Sequence, residues 1–228
     1  MSSDIDSDTS KIKGRLLELQ NMVTSALVKA MEAFEDLDSE IAESVLLTSD
    51  EVELLHHSIE EKVFATVSEY RPKDYTLRQL IAYLNTSSAL HQVGRYSTKI
   101  ADIVNLSEGQ DHFKELVSLP YLADLAKSAL EISVRAVINE DLSEIDELEK
   151  LEALSDNEAA EMFQEIADYL NRRRDISEMA MYYIIVGRYC ERAADKAIVI
   201  AEAASYMITG ERKKFGLAYK GEEASLLD

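Results

Sequence analysis

The chain has 228 residues, 46% of them hydrophobic, with 24 basic and 44 acidic side chains and a net charge of −20. That apolar content supports a sizeable core, while 7 Gly, 2 Pro and no Trp argue against an all-β fold, which needs a turn every ~8–12 residues. The charge repels phosphate backbones and anionic lipid, so it sets aside nucleic acid and broad membrane docking and suits cations, a partner with a basic patch, or a salt-rich cytoplasm.

The opening "MSSDIDSDTS" is acidic, with neither the basic nor the apolar region of a signal peptide, and residues 1–9 are expected to be disordered. From Gly14 to Pro72 there is no other Gly or Pro, and Leu16, Leu19, Val23, Leu27, Ala30, Phe34 and Leu37 step by three or four. That spacing predicts one apolar stripe on a long helix. "LDSE" at 37–40 and "TSDE" at 48–51 carry helix-start chemistry. A second stripe, Val52, Leu55, Ile59, Val63 and Val67, ends before Pro72. Asp74 or Thr76 can cap a third helix with Leu77, Leu80, Leu84, Val93, Ile100 and Val104 on its apolar side, broken by "SEGQDH".

The second half repeats the plan. Pro120 suits a first turn, and Leu122, Leu125, Ala129, Ile132 and Ala136 continue that helix. "NEDLSEIDE" is an acidic patch where a helix ends or another begins. Ser155 or Asp156 can cap a fifth segment, "NRRRDISE" is a connector, and the sixth helix runs from about Ser177 to Met207 with Gly210 as its C-terminal stop. The expected fold is all-α: a six-helix up-down bundle of two tandem three-helix repeats, residues 10–109 and 112–212, with a flexible tail at 213–228. Shifting the chain by 100 residues lays Tyr83 on Tyr183, Ile100 on Ile200, Ala101 on Ala201 and Asp102 on Glu202, a weak overlay that the matching order of segments strengthens.

Apolar runs such as "AMYYIIVG" fall well short of the ~18 residues that span a bilayer, so the expected location is cytoplasmic, at most peripheral to a membrane. The single cysteine, Cys190, allows no intramolecular disulfide and reads as packing. Long apolar helices raise the expectation of a homodimer.

The chemistry concentrates in "RYCERAAD". Glu191 and Asp195 stand at i and i+4, one turn apart on one helix face. Two readings stay open: a solvated acidic stripe, or half of an oxygen-ligand site for a hard or borderline cation, completed by acids of a neighbouring helix. The chain shows no Glu-x-x-His pair of the di-iron type, no zinc spacing of Cys and His, no Gly-rich phosphate loop and no signature of a nucleophilic triad. His56 and His57 are adjacent and diverge by about 100° on a helix, so they read as half-exposed helix residues. His91 and His112 are lone histidines, and Arg172–Arg174 a solvated connector.

The run "CERAADKAIVIAEAASYMITGE" resembles the signature of the PhoU family of phosphate-uptake regulators: an acidic residue, Arg, two small residues, Asp, then an apolar run ending in Ala-Glu. Here these are Glu191, Arg192, Ala193–Ala194, Asp195 and "IVIAE". "AMEAFEDLDSEIAESVLLTSDEVELLHHSIEEKVF" resembles the family's first two helices and "RPKDYTLRQLIAYL" the approach to its third, so the resemblance spans roughly residues 12–212. It implies two three-helix repeats and a regulator without catalytic activity, in contact with a phosphate transporter component or a sensor kinase. It also implies a metal site per repeat, holding an ion such as Fe, Zn, Mn or Mg. The first repeat departs from the motif, since His91 stands where Glu191 does, Gln92 where Arg192 does and Arg95 where Asp195 does. The resemblance therefore assigns metal ligands only to Glu191, Asp195 and Asp156. Asp50 and Glu53 are weaker candidates, and the first site is expected to be lost or closed by a salt bridge from Arg95. Against this regulator stand a metal-free helical adaptor and a di-metal carboxylate enzyme.

Overall fold

The computed structural model describes residues 2–216. Six helices account for nearly all of them: α1 (Ser2–Asp36), α2 (Ser39–Tyr70), α3 (Asp74–Leu106), α4 (Ser118–Asn139), α5 (Ile145–Arg172) and α6 (Ser177–Thr209). At 1.5 Å per residue the longest are rods of about 50 Å. The stripe of α1 is buried along its length, with Leu16, Leu19, Val23, Leu27 and Phe34 fully removed from solvent.

Two trios pack side by side. In the first, α1, α2 and α3 touch one another. In the second, α4 and α5 both pack on α6 and on each other. The trios join where α3 lies along α6 and α1 along α4, whereas α2 touches only α1 and α3, and α5 only α4 and α6. The four inner helices thus hold the shared core and α2 and α5 flank it. The 100-residue overlay is visible in that core: Tyr83 and Tyr183, Ile100 and Ile200, Ala101 and Ala201 are all fully buried. Cys190 is buried as expected, and burial pushes its thiol up to about 12.

Local chemistry sets the ends. Asp38 caps α2, accepting hydrogen bonds from the backbone N–H groups of Glu40 (2.8 Å) and Ile41 (3.1 Å), and Gly210 ends α6 in the left-handed region at φ 78°. His112 links segments distant in sequence: its Nε2 lies 2.9 Å from the Phe34 carbonyl and its Nδ1 2.9 Å from the Tyr183 hydroxyl.

Several expectations are corrected. Residues 2–9 belong to α1 rather than to a disordered lead. The acids that suggested disorder there are tied down, since Asp8 pairs with Lys62 of α2 at 2.9 Å and with Lys11 at 3.1 Å. "TSDE" lies inside α2, and α5 begins about ten residues before the Ser155 start read from sequence. The expected tail is anchored where it is described. Lys214 pairs with Glu202 (3.0 Å), and the N–H groups of Phe215 and Gly216 donate to Glu202 (3.2 Å) and to buried Glu149 (3.1 Å). Residues 217–228 of that expected tail lie outside the described residues. No helix among the described residues is long and apolar enough to cross a membrane.

Candidate metal centre

Where α5 lies against α6, both helices turn an acidic i, i+4 pair toward the seam. On α6 the pair is Glu191 and Asp195; on α5 it is Glu152 and Asp156. Carboxylate oxygens of Glu152, Asp156 and Asp195 all lie within 4.8 Å of one another. Asp156 and Asp195 are exposed residues, and Glu152 is half-buried, but their charged ends crowd together. Partial burial, and then the negative charge of Glu191 and Asp195, raises the Asp156 carboxyl above the ordinary range. Partial burial, and then Glu191, does the same to Asp195, opposed by Arg188 and Lys196.

The structure therefore brings Asp156 and Asp195 together, as expected, and adds Glu152. It holds Glu191 apart from that trio: both Glu191 carboxylate oxygens accept hydrogen bonds from Arg188 Nη1, each at 2.6 Å. Glu191 acts on the cluster through its charge. Sequence reading missed Glu152 because it looked for the start of the fifth helix at a Ser155 or Asp156 cap, although "ELEKLEALSD" repeats on α5 the Glu-x-x-x-Asp spacing singled out on α6.

A set of three oxygens at this spacing fits a hard cation. An ion with metal–oxygen bonds of roughly 2.0–2.4 Å holds its ligand oxygens no more than about 4.8 Å apart. Glu152, Asp156 and Asp195 meet that limit, and a bound cation offsets both the partial burial and the neighbouring negative charge that raise Asp156 and Asp195.

The corresponding place in the first repeat has the opposite character. Glu152, Asp156, Glu191 and Asp195 correspond under the 100-residue shift to Val52, His56, His91 and Arg95. The His56 and His91 rings stack at 4.6 Å and 11°. His56 is buried, its Nδ1 lies 2.8 Å from the Ser87 hydroxyl and its Nε2 3.6 Å from Glu60. The expectation of a half-exposed His56 is thus corrected: α2 presents it inward to α3, and only His57 faces solvent. Val52 packs tightly here as well, and a Cβ on Gly94 of α3 would stand 2.9 Å from its Cγ1. Arg95 makes no ion pair among the described residues, so the salt bridge considered for it does not form there. Asp50 and Glu53 are exposed and do not join a ligand set among the described residues.

The chain matches one family twice along its length. The model of the PhoU domain matches residues 16–104 and again 119–204. The chain belongs to the PhoU family. The two matches fall on the two helical trios, which makes them tandem PhoU domains. Among relatives, the chain is 26% identical over 204 residues to a phosphate-specific transport system accessory protein PhoU homolog 1 of Thermotoga maritima, covering 89% of this chain and 88% of that protein. It is 22% identical over 208 residues to a similarly named homolog of Clostridium acetobutylicum, covering 91% and 95%. The crystal structure of the phosphate transport system regulatory protein PhoU from Streptococcus pneumoniae superposes with a TM-score of 0.84 at 21% identity, over 92% of this chain and all of the other. These relatives are named as accessory or regulatory proteins, not as enzymes.

Proposed function

We propose that this chain is an accessory regulator of a phosphate-specific transport system, working by contact with a transporter component or a sensor kinase. We further propose that its second repeat holds one divalent cation between Glu152, Asp156 and Asp195. The names of its full-length relatives support the first statement. The observation that carries the second is the convergence of three carboxylates from two helices within 4.8 Å.

An all-carboxylate donor set without imidazole or thiolate favours Mg²⁺ or Mn²⁺ over Zn²⁺. A cation there supplies positive charge. The residues do the rest: Glu152 and Asp156 fix it to α5, Asp195 fixes it to α6, and the outer helix of the second trio is clamped to the inner one. Glu191, paired with Arg188, adds its negative charge to the field around the site without using its own oxygens. A di-metal carboxylate enzyme is disfavoured by the first repeat, where Val52, His56, His91 and Arg95 replace all four acids, and by the loss of Glu191 to Arg188. The metal-free adaptor is the reading that the test below separates.

Asp195→Asn keeps the shape of the side chain and removes one charge. In chelator-treated protein the variant should melt at the same temperature as the parent or above it, because a repulsive carboxylate is gone. Mn²⁺ should raise the melting temperature of the parent only. Calorimetric titration should give about one Mn²⁺ per chain for the parent and at least tenfold weaker binding for Asp195→Asn, the scale of losing a ligand or its outer-shell support. A Mn²⁺ response of equal size in both proteins would exclude this site.

A further inference from the structure

The reversal of charge in the first repeat leaves a groove of its own. Ser88, His91, Gln92, Arg95, Tyr96 and Lys99 of α3, with Tyr189 of α6, line a recess of about 520 Å³. No carboxylate lines it, in a chain with 44 acidic residues. Arg95 is exposed and makes neither a hydrogen bond nor an ion pair among the described residues, and the side chains of Ser88 and Gln92 make no hydrogen bond there either. Lys99 adds a second cation, shared with Asp102 at 2.9 Å. Tyr96 and Tyr189 stack across the α3–α6 junction at 5.6 Å and 19°, forming a firm wall between the two repeats.

We propose that this groove is a binding site for a phosphate-bearing small anion. The argument rests on donors. A guanidinium presents N–H groups in a planar fork that matches two oxygens of a phosphate. Around it stand the Lys99 ammonium, the Ser88 hydroxyl, the Gln92 amide and the His91 imidazole. His91, Gln92 and Lys99 lie within about one turn of Arg95 on α3, so they can donate alongside it to one tetrahedral anion, with Ser88 a further turn away. Two negative charges act on members of this set: Glu53 on His91, and Asp102, which Lys99 holds at 2.9 Å. The field of the whole molecule opposes an anion, but charges more than about 10 Å away are largely screened at 0.1 M salt, whereas a direct bond to Arg95 is not. The site is separate from the cation seam of α5 and α6 and stands or falls independently of it.

Isothermal titration in phosphate-free buffer at 0.1 M NaCl tests this with inorganic phosphate and with ATP as probes. Saturable binding of at least one of them to one site per chain is expected. Arg95→Ala should weaken it about tenfold or more, the effect of removing a hydrogen bond between charged groups, and Arg95→Lys should retain part of it. Arg135→Ala, which breaks only a surface pair with Glu144 at 3.0 Å, should bind as the parent does. If ATP binds more tightly than phosphate, the ligand is a nucleotide resting on the tyrosine wall; if phosphate binds at least as tightly, it is the free ion. No saturable binding of either probe, or equal affinities in the parent and Arg95→Ala, overturns the proposal.

Discussion

His56 and His91 carry their rings face to face in the α2–α3 seam, and burial, the largest influence on each, holds both below the ordinary histidine range. For His91 the positive ends of His56 and Arg95 push in the same direction, and Glu53 opposes them. A depressed histidine binds its proton in the unfolded chain before it does so in the folded one. Stability from this source is therefore full at neutral pH and is lost as pH falls through the usual histidine value toward the depressed one. His56→Gln should show the effect by difference. Its urea midpoint should fall less than the parent's between about pH 7 and pH 5, the side in which neutral histidine gives way to imidazolium. Parallel pH profiles of the two proteins would mean that the stack does not resist protonation. The residues of this seam were individually visible in the sequence, but not their pairing. Nothing local shows that His56 turns inward while His57 turns out, because that depends on which face of α2 meets α3.

At the scale of elements, the regular parts were legible and the exceptions have physical causes. The stripe of α1 could be read at three- and four-residue steps because helix packing demands it. The cap of α2 was legible too, as Asp38 lies in "LDSE" and accepts two orphan N–H groups. Asp38→Ala should therefore lower the unfolding free energy by about 1 kcal/mol, checked by urea denaturation at constant slope, with the loss recovered by Asp38→Ser. The start of α5 was not legible, because its N-terminal Glu144 makes no side-chain capping bond and sits within an acidic run that resembles a linker. That one misplaced boundary hid Glu152, and with it a third of the carboxylate cluster. The N-terminal turn was misread for a related reason: Asp8 is stabilised by Lys62, far along the chain and on another helix, and such pairing leaves no trace in local composition.

Over the whole molecule, the arrangement of contacts predicts how the two PhoU domains melt. Each is a trio that cannot bury its inner helices alone, since α3 needs α6 and α1 needs α4. Ile100, Ala101, Ile200 and Ala201 are all fully buried in the core so formed. Separating the trios would expose that core on both sides, so the chain should unfold in a single calorimetric transition with equal calorimetric and van't Hoff enthalpies. The cation seam lies at the margin, between the outer helix α5 and α6, yet α6 belongs to the shared core. Stabilisation at Glu152, Asp156 and Asp195 should accordingly reach both domains. Mn²⁺ at about 100 times its dissociation constant should move the entire peak upward, by the equivalent of about 2.7 kcal/mol. A peak that splits, with one half responding to Mn²⁺ and the other not, would show instead that the domains fold as separate units and that the α3–α6 contact adds little to their stability.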